Sequence, residues 1–389
     1  GKQFICVGDP KQLPPTSFFS SGDIDNLNDE EQIQEMESVL DECLSIGMSI
    51  NTLDWHYRSK NESLITFSNR QYYDNRLITF PSPNTLDDSV KFVWVDGIYD
   101  AGKSRTNQKE AEAVVAAIVE HYVSGKGATL SIGVITFNVA QRDLIENLLD
   151  AARVAEPKLD VAIAESTVEP YFVKNLENVQ GDERDIILFS ITFGKDIGGK
   201  LSMNFGPMNK DGGWRRLNVA ASRARHEVRL FSSLRPEHID LNRTKAQGVK
   251  DLKAYLDFAL NGVRSLATQA TPTGREPDSP FEAAVIQALR QHGWEVHPQV
   301  GVSGYRIDIG VVNPHEKGRY LLGVECDGAT YHSASTARDR DRLRQKVLED
   351  LGWNMHRIWS TDWWINPEIP MKKLLERLSQ LETLVTGKK

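Results

Sequence analysis

The strongest constraint on this chain is a repeated switch between short β-branched runs and longer helical patterns. Candidate strands fall at Lys91–Val95, Ser131–Phe137, Asp185–Thr192 and Glu227–Ser232, with helical stretches at Glu31–Ser45, Lys109–Val123, Ala140–Ala151 and Val249–Leu260. Strands separated by helices pair in parallel, because only a crossover of a dozen or more residues returns the chain to the same edge. The expected fold class is α/β with a parallel sheet, and such sheets bind ligands outside their C-terminal strand ends. From Gly262 to Pro280 the composition turns to Thr, Pro, Gly, Ser and charge, which reads as a linker. A smaller α/β unit of about a hundred residues follows, enough for one compact domain.

Composition narrows the partners. The net charge of −8 carries no global basic signature, so any nucleic acid must be held by local clusters of Lys and Arg. Cys6, Cys43 and Cys326 are too few and too scattered for a disulfide framework, which suits a reducing cytosol. No long uncharged apolar run and no basic segment leading into one is visible, so the expectation is a soluble, cytoplasmic chain with no membrane partner.

Near the start, Gly8-Asp9-Pro10-Lys11-Gln12-Leu13-Pro14-Pro15 follows a short apolar strand, Phe4 to Val7. It resembles motif III of superfamily 1 helicases, in the branch that includes the RNA-decay helicases. Four further segments resemble that family's motifs, in the family's order. They are Asp54-Trp55-His56-Tyr57-Arg58-Ser59, Gly133–Phe137 with Gln141 and Arg142, Val179–Glu183, and Arg216–Arg225. The resemblance implies a second RecA-like domain, with a remnant of the first at its start. The P-loop half would lie outside this sequence, so ATP and Mg²⁺ would be used only together with that missing N-terminal RecA-like domain.

Phosphoryl transfer is catalysed by positioning and charge neutralisation, and arginine's rigid fork suits phosphate oxygens. By resemblance, Arg58 and Arg223 would reach the nucleotide, Gln12 would sense its γ-phosphate, Glu183 would contact it or order the cleft, and Tyr57 would pack on the base. Gln141 and Arg142 are balanced between belonging to the family's motif pattern and a solvated first helical turn. Gly97-Ile98-Tyr99-Asp100-Ala101-Gly102-Lys103-Ser104 fits the P-loop pattern. It comes after motif III and no Asp-Glu pair follows it, so it is read as a coincidence; a self-contained ATPase using Lys103 is the competing reading.

The segment from Ser279 resembles a restriction-endonuclease-like domain of the PD-(D/E)XK type, similar to very-short-patch-repair endonucleases. Ser279–Glu282, Tyr305–Ile309, Gly323–Gly328, Thr330-Tyr331-His332, Arg338–Lys346 and Gly352–Trp359 carry the resemblance. Asp308 lies in an apolar strand and Glu325 ends another, after a hairpin through Asn313-Pro314. Two carboxylates at adjacent strand ends make a hard-oxygen site suited to Mg²⁺ or Mn²⁺. Asp327 stands where the family has Lys, as a candidate third ligand, which leaves the cationic role to His332, Arg342 or Lys346. Glu282 is either a helix-capping or a catalytic carboxylate, because Ser279-Pro280-Phe281-Glu282 is a capping box with Pro at the first helical position. Arg338, Arg342 and Lys346 share one helical face and are candidates for nucleic-acid contact, with DNA favoured over RNA. Trp353, Trp359, Trp363 and Trp364 are expected to build core and surface cap.

The expected domains are 1–20, the remnant of the first RecA-like domain; 21–262, the second RecA-like domain; 263–278, the linker; and 279–389, the nuclease-like domain. Two functions from different classes follow. One is a helicase portion carrying a metal-dependent endonuclease; the other is a non-catalytic nucleic-acid-docking module with a degenerate nuclease site.

Overall fold

The computed structural model describes residues 4–14, 38–84, 89–262, 276–301, 305–316, 318–328 and 335–386; the side chains of residues 335–342 lie outside that description. The larger unit is built on strands β1 (Val90–Trp94), β2 (Ile132–Thr136), β3 (Phe172–Asn175), β4 (Arg184–Ser190) and β5 (Ala224–Ser232). They form one five-stranded sheet in the order β1-β5-β4-β2-β3, with every pairing parallel. Its helices are α1 (Val39–Ser45), α2 (Ser63–Tyr72), α3 (Gln108–Val123), α4 (Val139–Ala155), α5 (Pro157–Ala164), α6 (Gly213–Ala221) and α7 (Gln247–Asn261).

Strand alternation explains the layers. Ile187 and Phe189 of β4 face the core formed with α2, α6 and α7, whereas Ile186 and Leu188 face the core formed with α3, α4 and α5. Both faces are covered, so β2 and the Ile186–Phe189 run of β4 read as continuous apolar runs, while the first half of β5 carries Arg225, His226 and Glu227. The longer helices start where a side chain takes up an orphan amide: Asn107 accepts from Glu110 N at 3.2 Å and Asn138 from Gln141 N at 2.8 Å.

The four expected strands and the helices at 109–123, 140–151 and 249–260 are all present within a few residues. Of the helix expected at 31–45, residues 39–45 are helical and 31–37 lie outside the described residues. Strand β3 and helices α2, α5 and α6 were not expected; β3 is four residues long and holds the sheet edge, too short to register as a period. The expected strand Phe4–Val7 is absent. Those residues join no ladder, since no strand among the described residues pairs with them, and Ile5 and Val7 are largely exposed.

The smaller unit contains α8 (Pro280–Gln291), β6 (Val296–Val300), β7 (Ile307–Val312), β8 (Tyr320–Asp327), α9 (Ser335–Asp350), β9 (Met355–Trp359), α10 (Ser360–Ile365) and α11 (Glu368–Thr386). Its sheet runs β6-β7-β8-β9, antiparallel across the first three strands and parallel between β8 and β9. Helices α8 and α11 close one face over Val285, Leu289, Leu374 and Leu378. The hairpin through Asn313-Pro314 forms as expected. Trp353 and Trp363 are buried and Trp364 is exposed, in keeping with core and cap.

The other face of this sheet is closed partly by the larger unit. Phe80 joins Ile307, Leu348 and Trp353 in one apolar cluster, with Trp55, Tyr305 and Tyr320 packed against it. The Trp353 indole donates to the Pro81 carbonyl at 2.8 Å, Tyr320 N donates to the Pro83 carbonyl at 2.8 Å, and Asn84 bridges Arg319. Among the described residues no helix is long and apolar enough to cross a membrane.

Candidate functional site

On the larger unit, the residues proposed for nucleotide contact converge, though not where an open α/β sheet suggests. Glu183 immediately precedes β4 and Arg223 immediately precedes β5, so this cluster lies at the N-terminal strand ends. Arg58 Nε pairs with Glu183 Oε2 at 2.6 Å, and its Nη1 donates to the Ser222 carbonyl at 3.1 Å. Arg223 is 2% exposed and donates to the Val219 carbonyl at 2.7 Å. Burial, and the neighbouring Arg58 charge, push its pKa down to about 10, which still leaves it cationic at neutral pH. Gln12 donates to Asp9 at 2.8 Å, and Asp9 also accepts the Tyr73 hydroxyl at 2.7 Å. Asn218 ties this group to α6 through the Lys11 carbonyl at 2.8 Å and Tyr73 at 3.0 Å. Tyr57 is half-exposed, with its ring against Phe80 and Trp55.

The C-terminal strand ends are instead plugged by a buried polar network. Gln141, fully buried, accepts from Asn107 N at 2.8 Å and donates to the Asn107 carbonyl at 3.1 Å and to Ser190 at 3.3 Å. Beside it Glu110 accepts from Ser190 at 2.7 Å and from Thr192 N at 2.5 Å. Burial pushes the Glu110 pKa up to about 7. Gln141 is therefore buried in a hydrogen-bond network rather than solvated, whereas Arg142 is partly exposed and paired with Asp143 and Glu146.

In the P-loop look-alike, Ser104 donates its amide at 3.1 Å and its hydroxyl at 2.9 Å to Asp100. A carboxylate of the loop itself thus takes the donors that a phosphate would need, and residues 101–105 are exposed.

His56 gives this cluster an acid limit. Its Nε2 accepts from Ser59 N at 3.2 Å, which requires that nitrogen to be unprotonated. Burial, then the charges of Arg58 and Arg223, lower its pKa to about 4. The unfolded chain therefore takes up a proton near pH 6.5 while the folded one does not, and native stability falls between about pH 6.5 and 4. We expect His56→Gln to remove about 1–3 kcal/mol of acid destabilisation across that window. The check is urea unfolding of both proteins at pH 7 and pH 4; parallel losses would refute it.

On the smaller unit, the register of β7 and β8 pairs Ile309 with Val324, so the next step brings Asp308 level with Glu325. Asp327, two residues beyond Glu325, falls on the same face. All three line one pocket of about 290 Å³, together with Glu282, Tyr305, Arg344 and Arg357. Asp308 Oδ2 accepts from Cys326 N at 2.7 Å and Glu325 Oε1 accepts the Tyr305 hydroxyl at 2.8 Å. Burial first, then neighbouring carboxylates, push the Asp308 pKa up to about 6 and that of Glu325 up to about 8. Glu282 is held by Asp278 N at 2.9 Å, by Ser279 at 2.9 Å and by Gln299 at 2.8 Å, so its capping role is filled while it still borders the pocket.

The cation opposite Asp327 is Arg357, with Nε 3.0 Å from Oδ2. It sits on β9 in register with Glu325. The sequence alone points for that charge to His332, Arg342 or Lys346. His332 lies outside the described residues, as do the side chains of Arg338 and Arg342; Lys346 is exposed and lines no part of the pocket. Arg357 and Arg344 were missed as site residues, because neither β9's register nor the roll of α9 can be read from spacing.

Among the described residues, no three His, Cys, Asp or Glu side chains stand ready-made around one metal position. The donor set nevertheless fits a hard cation. Mg²⁺ keeps several waters and takes only one or two protein carboxylates beside phosphate oxygens, and Asp308 and Glu325 supply two. Their raised pKa values report buried negative charge that a cation would relieve.

Comparisons with known proteins agree with this division. Residues 281–378 match the restriction-endonuclease-like family REase_MTES_1575. An uncharacterized ATP-dependent helicase of Mycoplasma pneumoniae is 30% identical over 98% of this chain and 35% of its own length. Its Mycoplasma genitalium counterpart is 30% identical over 97% of the chain and 34% of its own length. The mouse 5'-3' DNA helicase ZGRF1 is 25% identical over 60% of the chain and 11% of its own length. The chain thus spans about a third of the length of the two Mycoplasma helicases. Residues 36–234, just over half of the sequence, match the AAA domain family, and over this larger unit the chain belongs to that family.

Proposed function

We propose that the chain is a portion of an ATP-dependent DNA helicase that carries a metal-dependent endonuclease. Residues 21–262 would be the second RecA-like domain and 1–20 part of the first; 263–278 would be the linker and 279–389 the PD-(D/E)XK-like nuclease. The observation that carries the nuclease reading is the pocket in which Asp308, Glu325 and Asp327 share one sheet face opposite Arg357. Asp308 and Glu325 would hold Mg²⁺ or Mn²⁺, Tyr305 would orient Glu325, and Arg357 and Arg344 would meet phosphate charge. The bound metal would polarise the scissile phosphate and activate a water. On the larger unit, Arg58, Arg223, Gln12, Glu183 and Tyr57 would face an ATP held chiefly by another RecA-like domain, and hydrolysis would need that partner. The likeness to helicases, one of them a DNA helicase, supports nucleic acid as substrate and DNA in particular.

A second reading is a DNA-docking module that does not cut. It is favoured by the ion pair of Asp327 with Arg357, which occupies the position of the family's lysine with an acid. Incubating the chain with single- and double-stranded DNA in Mg²⁺ or Mn²⁺ without ATP separates the two. Metal-dependent cutting is expected; binding without cutting would transfer the conclusion to docking.

A further inference from the structure

The pocket on the smaller unit is finished by a residue of the larger one. Trp55 lies three positions before Arg58, in an extended segment fixed by His56 N to the Ile78 carbonyl at 2.9 Å and Ile78 N to the Asp54 carbonyl at 2.6 Å. Its ring centroid stands 5.1 Å from Phe80 and 6.4 Å from Tyr305, and Phe80 stands 5.5 Å from Tyr305. The Arg344 guanidinium spans Trp55 and Tyr305, 5.2 Å from one ring and 5.5 Å from the other. Tyr305 then places its hydroxyl 2.8 Å from Glu325 Oε1.

Such a stack fixes a phenol's direction in two ways. Offset and tilted rings have preferred geometries, and a guanidinium over two faces penalises either ring for leaving. Tyr305 also packs against the cluster of Phe80, Ile307, Leu348 and Trp353, but among the described residues its ring contacts are with Trp55 and Phe80, which precede the small sheet by more than two hundred residues.

Resting on the metal-dependent nuclease reading, we propose that Trp55 is a positioning residue of the nuclease pocket. It holds Tyr305, with Phe80 and Arg344, so that Glu325 is aimed at the metal position. The metal affinity of the small unit therefore depends on the conformation of a segment that also carries Arg58 of the proposed nucleotide cluster.

The test is Mn²⁺ binding to the full chain by calorimetry, for the parent, Asp308→Asn, Trp55→Ala, Trp55→Phe, Tyr305→Phe and the Trp55→Ala/Tyr305→Phe pair. Circular dichroism checks folding. Trp55→Ala and Tyr305→Phe are each expected to weaken Mn²⁺ about tenfold, the double variant no more than either, and Trp55→Phe to stay close to the parent. Non-additivity of that kind marks two residues acting through one contact, which a general loss of stability would not produce. Parent-like binding by Trp55→Ala, or simple additivity, overturns the proposal while leaving the metal site standing. Binding that is equal in the parent and in Asp308→Asn removes the metal site itself, and this inference with it. Should Trp55→Ala not fold, Tyr305→Phe and Trp55→Phe still decide: parent-like affinity in Tyr305→Phe, or a tenfold loss in Trp55→Phe, sinks the idea.

Discussion

Asp308→Asn is expected to lower metal-dependent DNA cleavage by about a thousandfold and, at the same time, to stabilise the metal-free protein. The first effect follows from the metal's share of transition-state stabilisation. Polarising a phosphoryl oxygen is worth several kcal/mol, and about 1.4 kcal/mol is a factor of ten in rate. The second follows from burial. The Asp308 pKa stands at about 6 in the fold and about 4 in an unfolded chain. The native state therefore prefers the protonated form: stability is full below about pH 4, falls as the pH rises through 6, and stays low above it. An amide of the same shape still accepts from Cys326 N and carries no charge. At pH 8 the variant should gain on the order of 1–3 kcal/mol without metal. Cleavage rates beside urea midpoints at pH 8, in EDTA and in Mg²⁺, give both readings. A variant that loses activity and stability together would mean that Asp308 is structural, and unchanged cleavage would end its assignment as a ligand.

Trp353→Ala should be the most damaging single truncation at the junction of the two units, costing about 3–5 kcal/mol. The indole is 3% exposed, stacks on Tyr320 at 5.3 Å and donates to the Pro81 carbonyl at 2.8 Å. Truncation opens a cavity and strands a buried acceptor, and these penalties arise on different units. Unfolding should then lose cooperativity, with two transitions replacing one in a urea series. Trp353→Phe, which keeps most of the ring, should cost about 1–2 kcal/mol for the hydrogen bond and lost area. A midpoint for Trp353→Ala within about 1 kcal/mol of the parent would show that the contact is surface packing only.

How much of this could be read from the chain differs by residue. Strand β2 and the Ile186–Phe189 run of β4 were legible because a strand covered on both faces reads as a continuous apolar run, whereas β5, with Arg225, His226, Glu227 and Arg229, showed itself only by its β-branched and aromatic C-terminal half. Strand β3 was not legible, since Phe172–Asn175 is short, lies at an edge and carries Lys174. The pairing of Asp308 with Glu325 could be anticipated from two apolar strands and one hairpin, because a hairpin fixes register locally. Arg357 could not, because β9 joins β8 in parallel after a whole helix, and nothing short-range sets that register. Gln141 misled for a related reason: a polar residue in a first helical turn is usually solvated, and only the three-dimensional placement of Asn107 and Ser190 buries it. The residues proposed for nucleotide contact were legible as a set of motifs, but not their place, since Glu183 and Arg223 stand at the N-terminal strand ends whereas the general rule for open α/β sheets points to the C-terminal ends.

The loan of Phe80, Pro81 and Pro83 to the smaller sheet has a practical side for anyone handling the protein in pieces. The composition between residues 262 and 280 invites a cut there, yet a fragment that starts at Ser279 would leave behind the lid over Ile307, Leu348 and Trp353. Its bare patch would seek a substitute cover, either another fragment or a detergent molecule. Fusing this restriction-endonuclease-like unit to a different domain would need more than a flexible tether. The new host would have to bring its own aromatic lid and two carbonyls in the right place, so the two units are better regarded as one inherited piece than as interchangeable parts.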